Sequence, residues 1–109
     1  MAETAQIAII RTNLPDQASA DRVARAAMAE RLAACTNAYA ITASVYRWES
    51  QIVSEPEVQL HLKTTTAKAD ALVRRVRALH PYELPFIAVE RIEVTADYSA
   101  WVDGETRSD

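Results

Sequence analysis

Cys35-Thr36-Asn37-Ala38-Tyr39-Ala40-Ile41-Thr42-Ala43-Ser44-Val45-Tyr46-Arg47-Trp48 has no helical period and is rich in β-formers. Read as one strand, it places Cys35, Asn37, Tyr39, Ile41, Ala43 and Val45 on one face. Thr36, Ala38, Ala40, Thr42, Ser44, Tyr46 and Trp48 fall on the other. A turn near Glu49-Ser50-Gln51 follows. Val58, Leu60 and Leu62 then alternate with Glu57, Gln59, His61 and Lys63, the pattern of a half-buried strand. From Cys35 to Arg47 the first strand spans about 43 Å at roughly 3.3 Å per residue. A compact chain of 109 residues has a diameter of only about 34 Å. The hairpin is therefore predicted to overhang its own domain and expose strand edges. Such edges are normally paired or covered, so a second subunit is expected to cover this one.

Working outward, Gln6 to Thr12 is a short β-branched apolar run and reads as a strand. Pro15 and Asp16 are helix-start signals. Ala20, Val23, Ala24, Ala27 and Met28 recur with helical spacing, predicting a helix to about Arg31 or Leu32. Downstream of the hairpin, Thr64-Thr65-Thr66 offers an N-cap, and Ala69, Leu72, Val73, Val76 and Leu79 mark a second amphipathic helix. Phe86 to Val94 reads as a last strand. Asp97 to Val102 reads as a short helix stopped by Gly104, with a loose tail over 105–109. The order β-α-β-β-α-β with a helical tail predicts an α+β, ferredoxin-like sandwich in a single domain, 1–109.

Composition excludes several functions. The net charge of −3 argues against a nucleic-acid backbone binder, and no apolar run approaches a membrane span. The start, Met1 to Gln6, lacks the features of a secretory signal, so a cytoplasmic location is the expectation. Gly104 is the only glycine, which rules out a P-loop or a dinucleotide fingerprint. Cys35 is the only cysteine, and His61 and His80 are the only histidines. One chain cannot supply a four-coordinate zinc site of Cys and His, so any metal site must recruit carboxylates, water or a second chain. No motif requires a cofactor.

His80-Pro81-Tyr82-Glu83-Leu84-Pro85 holds an imidazole, a phenol and a carboxylate between two prolines that bias His80 and Leu84 toward extended backbone. His80 reads either as a metal ligand through its neutral imidazole or as a helix C-terminal residue interacting with the dipole. Glu83 could complete a site with His80, act as a general base, or pair with an arginine. Tyr82 suits an interface groove. Cys35, on a row expected to face the core, reads as a small hydrophobe or a ligating thiol. Trp48 closes the overhang, where an aromatic packs on a neighbour. Lys63 either protects an edge or holds an anion in a cleft.

In series, Arg31 to Asn37, Val45 to Glu49, Leu62 to Thr64 and His80 to Pro85 resemble the CutA family of divalent-cation-tolerance proteins. The resemblance runs from about Ile7 to Trp101. It implies a tight homotrimer whose long hairpins pair edge to edge, a part in the response to divalent metals, especially copper, and no enzymatic reaction. The implied metal candidates are His80, Glu83 and Cys35. A likeness to trimeric PII proteins implies the alternative, a sensor of a small anionic ligand in an intersubunit cleft at Trp48, Lys63 and Tyr82. A third class is a small acid–base enzyme using His80 and Glu83. The chain departs from the family pattern in three places. Ser50 replaces the usual turn glycine, which predicts a different turn type. Arg11 and Leu79 stand where copper-binding members are expected to carry a thiol and a second histidine.

Overall fold

The computed structural model describes residues 3–107. Four antiparallel strands, β1 (Thr4–Leu14), β2 (Cys35–Trp48), β3 (Gln51–Thr64) and β4 (Ile87–Thr95), form one sheet in the order β2-β3-β1-β4. Helices α1 (Gln17–Ala29) and α2 (Ala69–Leu79) pack on one face of it, and α3 (Ala96–Glu105) closes the chain. This is the expected ferredoxin-like arrangement.

The helices begin where local chemistry favours it. Asp16 is extended, and its carboxylate accepts a hydrogen bond from the Ser19 N–H at 2.8 Å, so α1 starts earlier than the apolar period alone predicts. At its other end Arg31 takes a left-handed conformation (φ 56°), and Leu32 N–H and Arg31 N–H bond back to the Ala27 and Met28 carbonyls. Thr65 caps a 3₁₀ turn at Thr66–Lys68 that leads into α2. α2 ends at Leu79 because His80, preceding Pro81, is extended (ψ 133°).

Ile10, Leu14, Leu60 and Leu62 of the sheet are buried against Val23 and Ala27 of α1 and Leu72 and Val76 of α2. A smaller cluster on the opposite face joins Ile7 and Ala34 to Val102 of α3. Gly104 does not stop α3, contrary to expectation; it lies within the helix, which ends at Glu105 with Thr106 as its C-cap. Thr106 is buried and its hydroxyl donates to the Val102 carbonyl, while Lys68 Nζ bonds the Thr106 carbonyl. The expected loose tail is thus fixed through Thr106, and its last two residues, 108 and 109, lie outside the described ones.

β1 pairs with β3 only between Val58 and Thr64. From Gln51 to Glu57, β3 has β2 as its sole partner, so the hairpin end is a two-stranded ribbon. The molecule measures 53 × 26 × 20 Å with a radius of gyration of 15.0 Å, against about 13 Å for a compact chain of this size. The overhang inferred from strand length is present.

Two details of the ribbon differ from expectation. A bulge between Ile41 and Ser44 adds one residue to β2 and reverses its alternation. Tyr46 and Trp48 therefore share a face with Cys35 and Tyr39. That face is the one opposite α1 and α2, since Cys35 pairs with Lys63 rather than with the buried Leu62. Cys35 is half-buried and does not face the core. The turn also keeps left-handed geometry without glycine: Glu49 and Ser50 have φ of 48° and 65°. Ser50 does not impose another turn type.

Candidate functional site

The loop between α2 and β4 is drawn against the end of β1 by two anchors. His80 Nε2–H donates to the Asn13 carbonyl at 2.9 Å, and Tyr82 N–H donates to His80 Nδ1 at 3.1 Å. Thr12 Oγ1–H donates to the Phe86 carbonyl at 2.7 Å. A carbonyl can only accept and an N–H can only donate, so His80 is the neutral Nε2–H tautomer with both nitrogens engaged. Burial holds its pKa below the ordinary histidine value, offset in part by the Asn13 carbonyl and the Glu57 charge.

The anchored loop faces the bulged hairpin across a groove of about 680 Å³. Tyr82 OH donates to Glu57 Oε2 at 2.8 Å, and Tyr46 OH donates to Glu55 Oε2 at 3.2 Å. Burial, then the Glu57 hydrogen bond and charge, push the Tyr82 pKa well above that of an ordinary phenol. Trp48 and Phe86 line the same groove, each with nearly half its surface exposed.

The metal candidates are not brought together within the chain. Cys35 pairs with Lys63, which is paired in turn with Ile9, whereas His80 bonds Asn13. Four residues of β1 separate the two positions, about 13 Å. Glu83 lies exposed on the loop, lining the groove. Among the described residues no group of three or more His, Cys, Asp and Glu is placed to hold a metal ion. The cleft candidates divide similarly. Trp48 and Tyr82 share the groove, but Lys63 lies beyond the ribbon, where β3 is paired with both β1 and β2, its Nζ 5.9 Å from the Tyr98 ring centroid.

Comparison with known proteins places this geometry. The model of the CutA1 divalent ion tolerance protein family matches residues 8–105. The chain belongs to the CutA1 family. It is 36% identical over 99 residues to the divalent-cation tolerance protein CutA of Thermus thermophilus, covering 90% of this chain and 96% of that protein. The Escherichia coli divalent-cation tolerance protein CutA is 36% identical over 107 residues, covering 95% of this chain and 93% of that one. The solved structure of CutA from Synechococcus elongatus superposes with a TM-score of 0.90 at 34% identity, over 97% of this chain and 95% of that one.

Within this CutA1 chain, both departures from the copper-binding pattern have structural occupations. Arg11 Nε lies 2.9 Å from Glu90 Oε1, an ion pair across β1 and β4 that is not aligned as a hydrogen bond. Leu79 packs against the main core. Glu55, Tyr46 and Phe86 were not singled out by sequence reasoning. Their signal is the bulge, which turns Tyr46 and Trp48 toward the carboxylates of β3, and a strictly alternating pattern conceals it.

Proposed function

We propose that this chain acts in divalent-cation tolerance as a non-catalytic homotrimer assembled through its overhanging hairpins. The observation that carries this reading is the ribbon itself. Val45 and Ile52 are 66% and 70% exposed, and Leu84 on the adjoining loop is 71% exposed. An isolated two-stranded ribbon is marginal in water, and large exposed apolar groups mark an interface. A non-catalytic role fits the groove, because a general base needs a free lone pair and His80 has none.

Copper remains the metal to test. In this reading its donors come from more than one subunit, since the described residues of one chain offer no three-residue set. An anion-sensing role has less support, because Lys63 lies away from the groove. The test is light scattering on the reduced protein, followed by copper titration and desalting. A mass three times the 12.1 kDa chain, with retained copper at a fixed fraction per trimer, is the expected result. A 12.1 kDa species would overturn the assembly. A trimer that retains no copper would overturn direct metal binding and leave the assembly standing.

A further inference from the structure

Where the ribbon leaves the sheet, the face opposite α1 and α2 holds a connected row of polar side chains. Gln59 Nε2–H donates to Asn13 Oδ1 at 2.9 Å, which leaves the Gln59 Oε1 to accept from His61 Nε2–H at 2.8 Å. The His61 ring lies against that of Tyr39, with centroids 4.7 Å apart. Tyr39 is half exposed and pairs with Gln59, one residue short of the last β1–β3 pair, Leu14 with Val58. The ribbon's Tyr46 and Trp48 lie on this same face, so its aromatic surface runs onto the row.

Charge surrounds this imidazole unevenly. Arg11 of β1 stands directly opposite His61, at about 5 Å between Cβ atoms, and Lys63 follows on the same face of β3. From β2 it meets Tyr39 and the uncharged Asn37. Glu90 of β4 is the carboxylate whose charge reaches it, and Arg11 Nε already lies 2.9 Å from Glu90 Oε1. Glu57, beyond Gln59, is bonded by Tyr82 OH. A proton on His61 would therefore set three cations against one carboxylate. Burial, and then the Arg11 charge, hold its pKa below the ordinary histidine value, with Lys63 acting in the same sense and Glu90 against it.

A neighbouring copy seated on the ribbon covers its root as well. Taking water from an imidazole already beside two cations makes its protonation harder still. The assembled state then binds protons less readily than the free chain, so acid favours release. We propose that His61 is an acid-sensitive switch on the assembly: neutral, it lets a second chain cover the root of the ribbon, and protonated, it drives the subunits apart. This inference rests on the assembly proposed above and adds its control by pH. Because the free chain already titrates below the ordinary value, assembly is complete above about pH 6.5 and weakens below it.

The test is urea dissociation of the full-length protein, followed by light scattering at several protein concentrations, at about pH 7.5 and about pH 5.5. The parent trimer is expected to come apart at lower urea in acid, its association constant falling by about tenfold or more, the effect of one proton taken up per assembly over one pH unit. His61→Gln keeps an amide donor for Gln59 and cannot take the proton, so it should lose most of that pH dependence, while His80→Ala keeps it. A merely structural role for His61 would instead weaken the trimer equally at both pH values. Arg11→Gln removes the nearest cation and frees Glu90, so its acid window should move to higher pH; it decides the matter if His61→Gln does not fold. A chain that is monomeric at about pH 7.5 would overturn the assembly and the switch together. A trimer that acid does not weaken, or whose acid response is unchanged by both substitutions, would overturn the switch and leave the assembly standing.

Discussion

The stretch of sheet beneath α1 and α2 and the ribbon beyond it are made of similar residues in opposite situations. Leu60 and Leu62 are almost wholly buried, whereas Ile52 on the same strand is 70% exposed. What separates them is partners. At Leu60 and Leu62, β3 has neighbours on both edges and helices above; at Ile52 it has β2 alone. One part of the strand meets its hydrogen-bonding and burial needs within the chain, and the other leaves them unmet there, which the proposed assembly would supply. Stability should therefore be intrinsic at one end and concentration-dependent at the other.

Leu62→Ala is expected to produce the largest effect. Removing a fully buried leucine costs about 2–5 kcal/mol, and the loss should appear as a lower denaturation midpoint at every protein concentration. Ile52→Asp should act differently. Burying one isoleucine contributes about 1.5–3 kcal/mol, here forfeited in every chain of the assembly, so light scattering should show dissociation while circular dichroism keeps the folded signal. If Ile52→Asp left the mass unchanged, or if Leu62→Ala became harmless at high concentration, the contrast between the two regions would fail.

The same contrast explains what could be read in advance. Strands and helices followed from periodicity, because Leu60 and Leu62 or Val23 and Ala27 answer to a core supplied by this chain. The overhang followed from counting residues, because rise per residue does not depend on context. The bulge did not, since Thr42-Ala43 is unremarkable and the extra residue is defined only against β3. That omission separated Tyr46 and Trp48 from the face of Cys35 and Tyr39 and hid most of the groove, while Cys35 itself precedes the bulge and has its face set by pairing with Lys63. His80 was visible as a candidate, but its two hydrogen bonds depend on where Asn13 ends β1. Thr106 as the close of α3 depends similarly on a tertiary contact from Lys68.

His80 joins the two regions, since it fastens the groove's loop to the end of a core strand. Replacing it with alanine leaves a carbonyl and an N–H without partners, a loss of about 1–3 kcal/mol. It also has a pH signature. The folded pKa is depressed below about 6.5, so the folded state resists a proton that the unfolded chain accepts. Stability is complete above about pH 6.5 and falls as the pH drops through that value toward the folded pKa. His61 is shifted in the same direction by burial and by Arg11, so the window is shared. Urea midpoints measured across it should fall with acid in the parent protein, less steeply in His80→Ala, and least when His61 is replaced as well. A slope unchanged by His80→Ala would mean that the loop is held by other contacts.

The smallest effect tests the tip of the ribbon, where the chain accepts backbone strain. Ser50 sits at φ 65°, a conformation that costs a residue with a Cβ about 1–2 kcal/mol and glycine almost nothing. Against this, glycine gives the unfolded chain more freedom to lose, so the net gain from Ser50→Gly should be about 1 kcal/mol or less. The gain should appear in whichever state holds the turn. If the ribbon is formed in the separate chain, Ser50→Gly raises the denaturation midpoint equally at all concentrations. If the ribbon forms only on assembly, the substitution leaves the isolated chain unchanged and instead shifts the dissociation midpoint of the oligomer. Measuring both midpoints for one surface substitution thus decides whether the overhang is preformed or is folded by its partner.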